Sequence, residues 1–499
     1  MLLEKDISHG GISGRVLADG GNGGELDMAT PITRISSDSI PVHPMGVKPL
    51  GNQYFASGPT ARQSLGLLGQ LPDEMILQLL EYLDTRSLKD IGFTCRFLYA
   101  FCQLDDLWKT LFLESSSQAP AWKGTWRSTH LKAPTDWRAN IDCSNVFSDV
   151  IHRPFACAHV ALEKYSSSIP AGNQISQFER LGYDDFAKNW SSKPFILTDC
   201  IQRWPVCGEW NISELQRRYS DIKFRAEAVD WPFSTYHEYM TKNEDESPLY
   251  LFDKGFAEKM NIHIGHNTDA AAYWPPECFG SDLFELLGDE RPAHRWLIIG
   301  PQRSGSTFHK DPNGTSAWNA VLEGSKYWIM FPPTAQVPGV YVSEDSSEVT
   351  SPLSIAEWLL EFHAEARALP GCVEGVCRAG EILHVPSGWW HLVVNLEDGI
   401  ALTQNFVPKS HLADVLSFLK DKPDQVTGFK RNIDNPYNLF EERLRGYDCE
   451  LLEKALDELE RRNQTKKRKW EEAIGNKNDT GDSGGGFSFG FGDEDEEIP

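Results

Sequence analysis

The sequence predicts a mainly β central domain, an antiparallel sandwich or barrel. A small all-α module precedes it, further helices follow it, and a polar tail lies at each end. Three observations carry this. From about Phe178, short apolar runs with strand-like alternation recur, and Gly and Pro punctuate them at close intervals. Between Leu71 and Phe112, apolar residues fall at helical spacing. Both ends are rich in Gly, Ser and Asp and carry too little apolar surface to order themselves.

Residues 1–66 are expected to form a disordered tail. A helical module over 67–115 opens with Leu71, Met75, Ile76, Leu79, Leu80 and Leu83 on one periodic pattern, with Pro72 where a first helical turn accepts it. Asp73 and Glu74 follow in that turn, where the helix dipole favours acids. Further short helices carry Leu88 and Ile91, then Phe97, Leu98 and Phe101, then Leu104, Leu107, Trp108, Leu111 and Phe112. Residues 116–177 read as a connecting segment.

The β domain spans 178–408, with expected strands at 194–198, 295–299, 325–331, 381–385, 391–394 and 399–403. A Ser/Glu-rich insertion over 333–370 contains one helix, Ile355 to Ala368. Helical spacing returns over 409–474. Residues 475–499, a Gly/Phe stretch followed by the acidic run Asp493 to Glu497, form the second tail.

The 499-residue chain holds 48 Lys+Arg against 72 Asp+Glu, a formal charge of −24. That balance argues against a surface built for nucleic acid phosphates and favours encounter with basic proteins. No apolar run approaches the roughly 18 residues of a membrane-spanning helix, and no secretory leader is expected at the N-terminus. Ten cysteines without a C-x-x-C spacing read as buried thiols of a reducing compartment.

The chemistry concentrates in Thr307-Phe-His-Lys-Asp311. If this piece is a strand, His309 and Asp311 project to the same side. A third ligand would complete a facial two-histidine, one-carboxylate site with open positions for substrates at Fe(II). His363, His384 and His391 lie downstream. His391 is favoured, because it begins a strand directly after the Pro386-Ser-Gly-Trp-Trp390 turn. His384 sits among apolar residues of the preceding strand, and His363 in the insertion helix. Lys326 shares a strand face with Trp328 and Met330, where a buried ammonium is costly without an anion.

The run from His309 through Asp311, Asn319 and Lys326 to Trp328 resembles the JmjC-domain Fe(II)/2-oxoglutarate oxygenases. So do Gly380 to His391 and Thr403-Gln-Asn-Phe406, and the nearest likeness is the branch of lysyl hydroxylases and arginine demethylases. The resemblance implies a double-stranded β-helix, the cupin-like jelly roll, with flanking helices. It implies iron on His309, Asp311 and His391. It implies that Lys326 holds the distal carboxylate of 2-oxoglutarate, helped by Thr403 and Tyr250, with Asn319 and Asn405 lining the cofactor pocket. Ser306 keeps a hydroxyl where that branch often has threonine, whereas the 333–370 insertion departs from the pattern at the rim of the substrate groove. The implied reaction consumes 2-oxoglutarate and O2, gives succinate and CO2, and either hydroxylates lysine or demethylates a methylated residue.

Leu71-Pro-Asp-Glu-Met75, Cys95-Arg-Phe97 and Trp108-Lys-Thr-Leu-Phe112 resemble an F-box. This implies docking of a cullin-ligase adaptor through helix faces bearing Leu71, Pro72 and Leu83. The basic run Arg461-Arg462 and Lys466-Lys-Arg-Lys469 suggests nuclear import. Two readings follow: a nuclear protein hydroxylase or demethylase, and a ubiquitin-ligase receptor whose JmjC domain mainly binds a target.

Overall fold

The computed structural model describes residues 40–115, 120–134, 141–265, 270–343, 349–351 and 353–475. The expected tails at 1–39 and 476–499 lie outside these residues.

Two facing antiparallel sheets form the centre. Their strands are β1 (Arg295–Gly300), β2 (Gly305–His309), β3 (Ser316–Glu323), β4 (Ser325–Phe331), β5 (Val373–Arg378), β6 (Ile382–Val385), β7 (Trp390–Asn395) and β8 (Gly399–Phe406). One sheet runs β6-β3-β8-β1 and the other β5-β4-β7-β2, the double-stranded β-helix. Phe195–Leu197 and Ser176–Phe178 extend the larger sheet beyond β6. Leu251–Asp253, Lys223–Ala226 and Val229–Pro232 extend it beyond β1. Strand alternation divides each element's side chains. Trp328, Met330, Val393 and Ala317 face the space between the sheets, whereas Tyr327, Ile329, Phe331 and Leu392 pack outward under the insertion. Gly324, at φ +79°, turns the chain from β3 to β4, where a Cβ would come within 2.4 Å of the Asp398 carbonyl.

The helical module forms as Asp73–Glu81, Thr85–Gly92, Arg96–Phe101 and Asp105–Ser115. Pro72 stands at the cap position, one residue earlier than expected. Within 333–370 the structure has a short hairpin, Tyr341–Val342 with Val349–Thr350, and the helices Ile355–Glu361 and His363–Ala368. No helix among the described residues is long and apolar enough to cross a membrane.

Two boundaries differ from expectation. Order starts before residue 67, because Val47, Ala61 and Leu65 are buried in the same core as the module and Arg62 pairs with Asp73. Residues 116–177 are no plain connector. They carry helices Trp126–His130, Asp149–Ala158 and Glu163–Ser166. Trp122 and Trp126 join the module to the β domain, with Trp126 5.6 Å from Phe112, 5.8 Å from Trp231 and 5.2 Å from Trp122 between ring centroids. Its indole Nε1–H donates to Asp245 at 2.9 Å, and its backbone N–H donates to Asp105 at 2.7 Å. Replacing Trp126 by Ala is predicted to cost about 3–5 kcal/mol in denaturant unfolding. Its module and β-domain probes should also separate into distinct transitions.

Candidate metal and keto acid site

Two strand pairings bring the site together. The register sets Met330 opposite His391 and His391 opposite His309, so both imidazoles lie at one end of the smaller sheet. A bulge between His391 and Val393 lets both Ser306 and His309 face the interior. The strand expected through Asp311 ends at His309, so Asp311 is placed by a turn. Pro312 lacks an amide hydrogen, and Asn313 takes a left-handed conformation at φ 58°. Asp311 itself stays extended, which returns its carboxylate to the histidines. One ligand atom from each of His309, Asp311 and His391 lies within 4.8 Å of the others.

The hydrogen bonds fix the tautomers. Nδ1–H of His309 donates to the Thr307 carbonyl at 2.8 Å, and that of His391 to the Trp389 carbonyl at 3.1 Å. Carbonyls only accept, so each Nε2 keeps its lone pair for a cation. Burial holds His391 well below the ordinary histidine range, and nearby His309 adds to this, so it stays neutral. Burial pushes Asp311 upward, against His309 and a hydrogen bond from Asn405. The buried Asp311 Oδ2 has no hydrogen-bond partner. Two imidazole Nε2 atoms and an orphaned carboxylate oxygen fit a divalent metal with open positions.

The other two histidines are occupied elsewhere. His384 points out of the larger sheet into Phe195, Phe279 and Phe406, with ring nitrogens 3.2 and 3.0 Å from the Ala317 and Ser191 carbonyls. His363 lies under the insertion, 2.9 Å from the Tyr327 hydroxyl and 3.3 Å from Glu374.

Lys326 is 1% exposed. Its Nζ donates to the Tyr250 hydroxyl and to Asn395 Oδ1, each at 2.6 Å. A third ammonium proton and the Tyr250 O–H remain for an anion. Asn395 is held in turn by donating to the Ser304 hydroxyl at 2.9 Å. Gly300 makes room for this network, since a Cβ there would meet Ser304 Oγ at 2.2 Å, Tyr250 at 2.7 Å and Asn395 Nδ2 at 2.9 Å. Asn319 Oδ1 and Trp328 Nε1, both buried, also lack partners. Ser306 and His309 line a cavity of about 390 Å³ together with Glu227, Glu246 and Arg303.

Two expected contacts of the keto acid differ. The Thr403 hydroxyl donates to the Trp318 carbonyl at 2.9 Å, so toward the cavity it offers only an acceptor, which does not suit a carboxylate. Asn405 donates to Thr315 Oγ1 at 2.8 Å and holds Asp311, so it serves the carboxylate ligand. Asn395 and Ser304 were missing from the expected set. Asn395 was available, because it follows His391 and Val393 at alternate positions of one strand.

A family model described as a cupin-like domain matches residues 189–411, and an F-box-like model matches 68–114. The arginine-specific demethylase JMJ22 of Arabidopsis thaliana is 36% identical over 470 residues, covering 91% of this chain and 90% of that protein. The bifunctional arginine demethylase and lysyl-hydroxylase psr-1 of Caenorhabditis elegans is 36% identical over 232 residues, 44% of this chain and 56% of its own. The 2-oxoglutarate and iron-dependent oxygenase JMJD4 of Danio rerio is 26% identical over 313 residues, 57% and 66% respectively.

Burial draws the Lys326 ammonium down to about 7. The Tyr250 phenol and Cys377 thiol that face it are pushed upward by burial, so neither ionises in that window. A dianion binds best where Lys326 already carries its proton. With the metal position saturated by Mn(II), affinity for 2-oxoglutarate should be flat below about pH 7, the value to which burial draws Lys326. Above it, affinity should weaken about tenfold per pH unit until the bound-state pKa is passed. Calorimetric titration checks this, and Lys326→Met should bind far more weakly with no such slope.

Proposed function

We infer that this chain, which belongs to the cupin-fold JmjC family of Fe(II)- and 2-oxoglutarate-dependent oxygenases, removes methyl groups from arginine side chains of a nuclear protein. It is a dioxygenase that uses Fe(II), 2-oxoglutarate and O2. The reading rests on the convergence of His309, Asp311 and His391 beside an anion-seeking Lys326. Similarity to an arginine-specific demethylase along nine-tenths of both chains supports the residue acted upon.

Bound together, the metal and keto acid supply oxidation of a C–H bond by O2, with 2-oxoglutarate leaving as succinate and CO2. The substrate C–H becomes C–OH. On an N-methyl carbon that product releases formaldehyde and returns N–H. On a lysine side-chain carbon the alcohol persists. His309, Asp311 and His391 would hold the metal through two Nε2 atoms and one carboxylate oxygen. Lys326 and Tyr250 would bind the distal carboxylate, and Asn395 and Ser304 would keep the ammonium in place. The buried Trp328 Nε1 and Asn319 Oδ1 are left without partners and are available to the bound group.

Peptides carrying methylarginine or unmodified lysine, incubated with Fe(II), 2-oxoglutarate and O2, should separate these outcomes by mass spectrometry. Loss of a methylene with formaldehyde is expected on methylarginine, and gain of one oxygen on lysine would overturn the choice of residue. His309→Ala should abolish either product.

A second reading has its own observation. The F-box-like module exposes Met75, Leu79 and Tyr82, spaced along one side of its first helix, together with Leu67 and Phe93. Of Leu71, Pro72 and Leu83, the residues expected on the docking face, Pro72 is exposed, whereas Leu71 and Leu83 are partly buried against the core. Docking of a cullin-ligase adaptor would therefore use Met75 and Leu79. Co-purification of adaptor lost in Met75→Lys/Leu79→Lys, with 2-oxoglutarate turnover intact, is the expected result, and no complex with the native chain would contradict it. Nuclear location rests on the basic stretch of the helix Cys449–Gly475, where Arg461, Lys467 and Arg468 are exposed. Neutralising that stretch should move the chain to the cytoplasm.

A further inference from the structure

Tyr250 is held between opposite charges. Its phenol end meets the buried Lys326. Its backbone end meets Glu227, which is exposed at the cavity that reaches His309 and accepts from the Tyr250 N–H at 3.0 Å through Oε1. Glu227 lies in the turn between Lys223–Ala226 and Val229–Pro232, and it holds a left-handed φ of 48° that favours glycine. A long acidic side chain in that conformation marks a position where the carboxylate is needed.

Glu246 and Arg303 share the cavity wall. The Glu246 carboxylate is already engaged, by hydrogen bonds from Ser354 and Cys157 and by the charge of Arg153. Arg303 donates to the Glu246 and Cys157 carbonyls at 3.1 and 2.9 Å. Glu227 differs. Its hydrogen bond among the described residues is the one from Tyr250, and the charges that act on it, Lys109 and Asp245, oppose each other.

We propose that Glu227 is the specificity-determining residue that receives the positive charge of the substrate side chain at the cavity mouth through its second carboxylate oxygen. This rests on the protein-oxygenase reading above and names the group that would select the substrate. One oxygen is already engaged by the Tyr250 N–H, so the second leads the contact with the substrate cation, and charge outweighs planar shape in that recognition. Glu227 accepts guanidinium or ammonium alike, and the choice between methylarginine and lysine falls to other walls of the cavity. Desolvation by surrounding atoms pushes the Glu227 carboxyl upward, as expected for an anion that gains from a cation.

The test uses the full chain loaded with Mn(II) and 2-oxoglutarate, which binds peptide without turnover. The probes are a methylarginine peptide, a lysine peptide, and the first peptide with citrulline, whose urea keeps the shape and loses the charge. The native chain should prefer both cationic peptides to the citrulline peptide by about tenfold or more. Glu227→Gln, whose amide oxygen can still accept from the Tyr250 N–H, should erase that preference for both cations. A preference that survives in Glu227→Gln overturns the proposal. So does an equal loss for cationic and citrulline peptides alongside weakened 2-oxoglutarate, which would mean that the residue acts only by positioning Tyr250. A native chain with no cation preference at all overturns the arginine and lysine reading itself.

Discussion

A lysine ammonium sits inside a β-barrel with no carboxylate among the described residues to meet it, and the interior is organised around that charge. Lys326 is held by a phenol and an amide oxygen, neutral acceptors that offset only part of the cost of leaving water. A mutation-tolerant core would replace such a group with an apolar side chain of similar volume. Its retention makes sense when an anion arrives, and Lys326 and Tyr250 keep protons to donate to it.

The same sheet that buries the lysine places the two histidines that can hold a metal. On β7 the alternate positions 391, 393 and 395 hold His391, Val393 and Asn395, and their partners on β4 are Met330, Trp328 and Lys326. One register thus fixes the distance between the histidine that can hold a metal and the amide that anchors the ammonium. A slip by one residue would turn both outward into the cluster of Tyr327, Ile329 and Phe331. The geometry of the site is therefore as stiff as the sheet, and the inter-strand hydrogen bonds do the positioning that loops perform in less regular folds.

Much of this was legible before the structure, because strand parity is a sequence property. Apolar runs with alternation found β1, β4, β6, β7 and β8, set β2 two residues late at 307–311 and left out β3 and β5. The place of His391 directly after the Pro386–Trp390 turn separated it from His384. Alternation also set Lys326 on one face with Trp328 and Met330. Other features depend on non-local packing. Asp311 reaches the histidines through a Pro-Asn turn, not along a strand. Thr403 spends its hydroxyl proton on a neighbouring strand's carbonyl, a partner that only the β3–β8 pairing supplies. Residues 40–66 and 120–177 look like linkers by composition, yet scattered Val47, Leu65, Trp122 and Trp126 insert into a core built by distant segments. Short helices whose stability comes from tertiary contact leave little periodic trace.

The central claim is that His309, Asp311 and His391 hold one metal while Lys326 holds the keto acid against it. Anaerobic titration of the purified chain with Fe(II) and 2-oxoglutarate, followed by visible charge-transfer absorption, tests this most directly. The band should develop with one equivalent of metal in the native chain. It should be absent in His391→Ala, which lacks the metal, and in Lys326→Met, which keeps the metal and loses the chelate. A native chain without the band, or a Lys326→Met chain that shows it at unchanged 2-oxoglutarate affinity, would contradict the account.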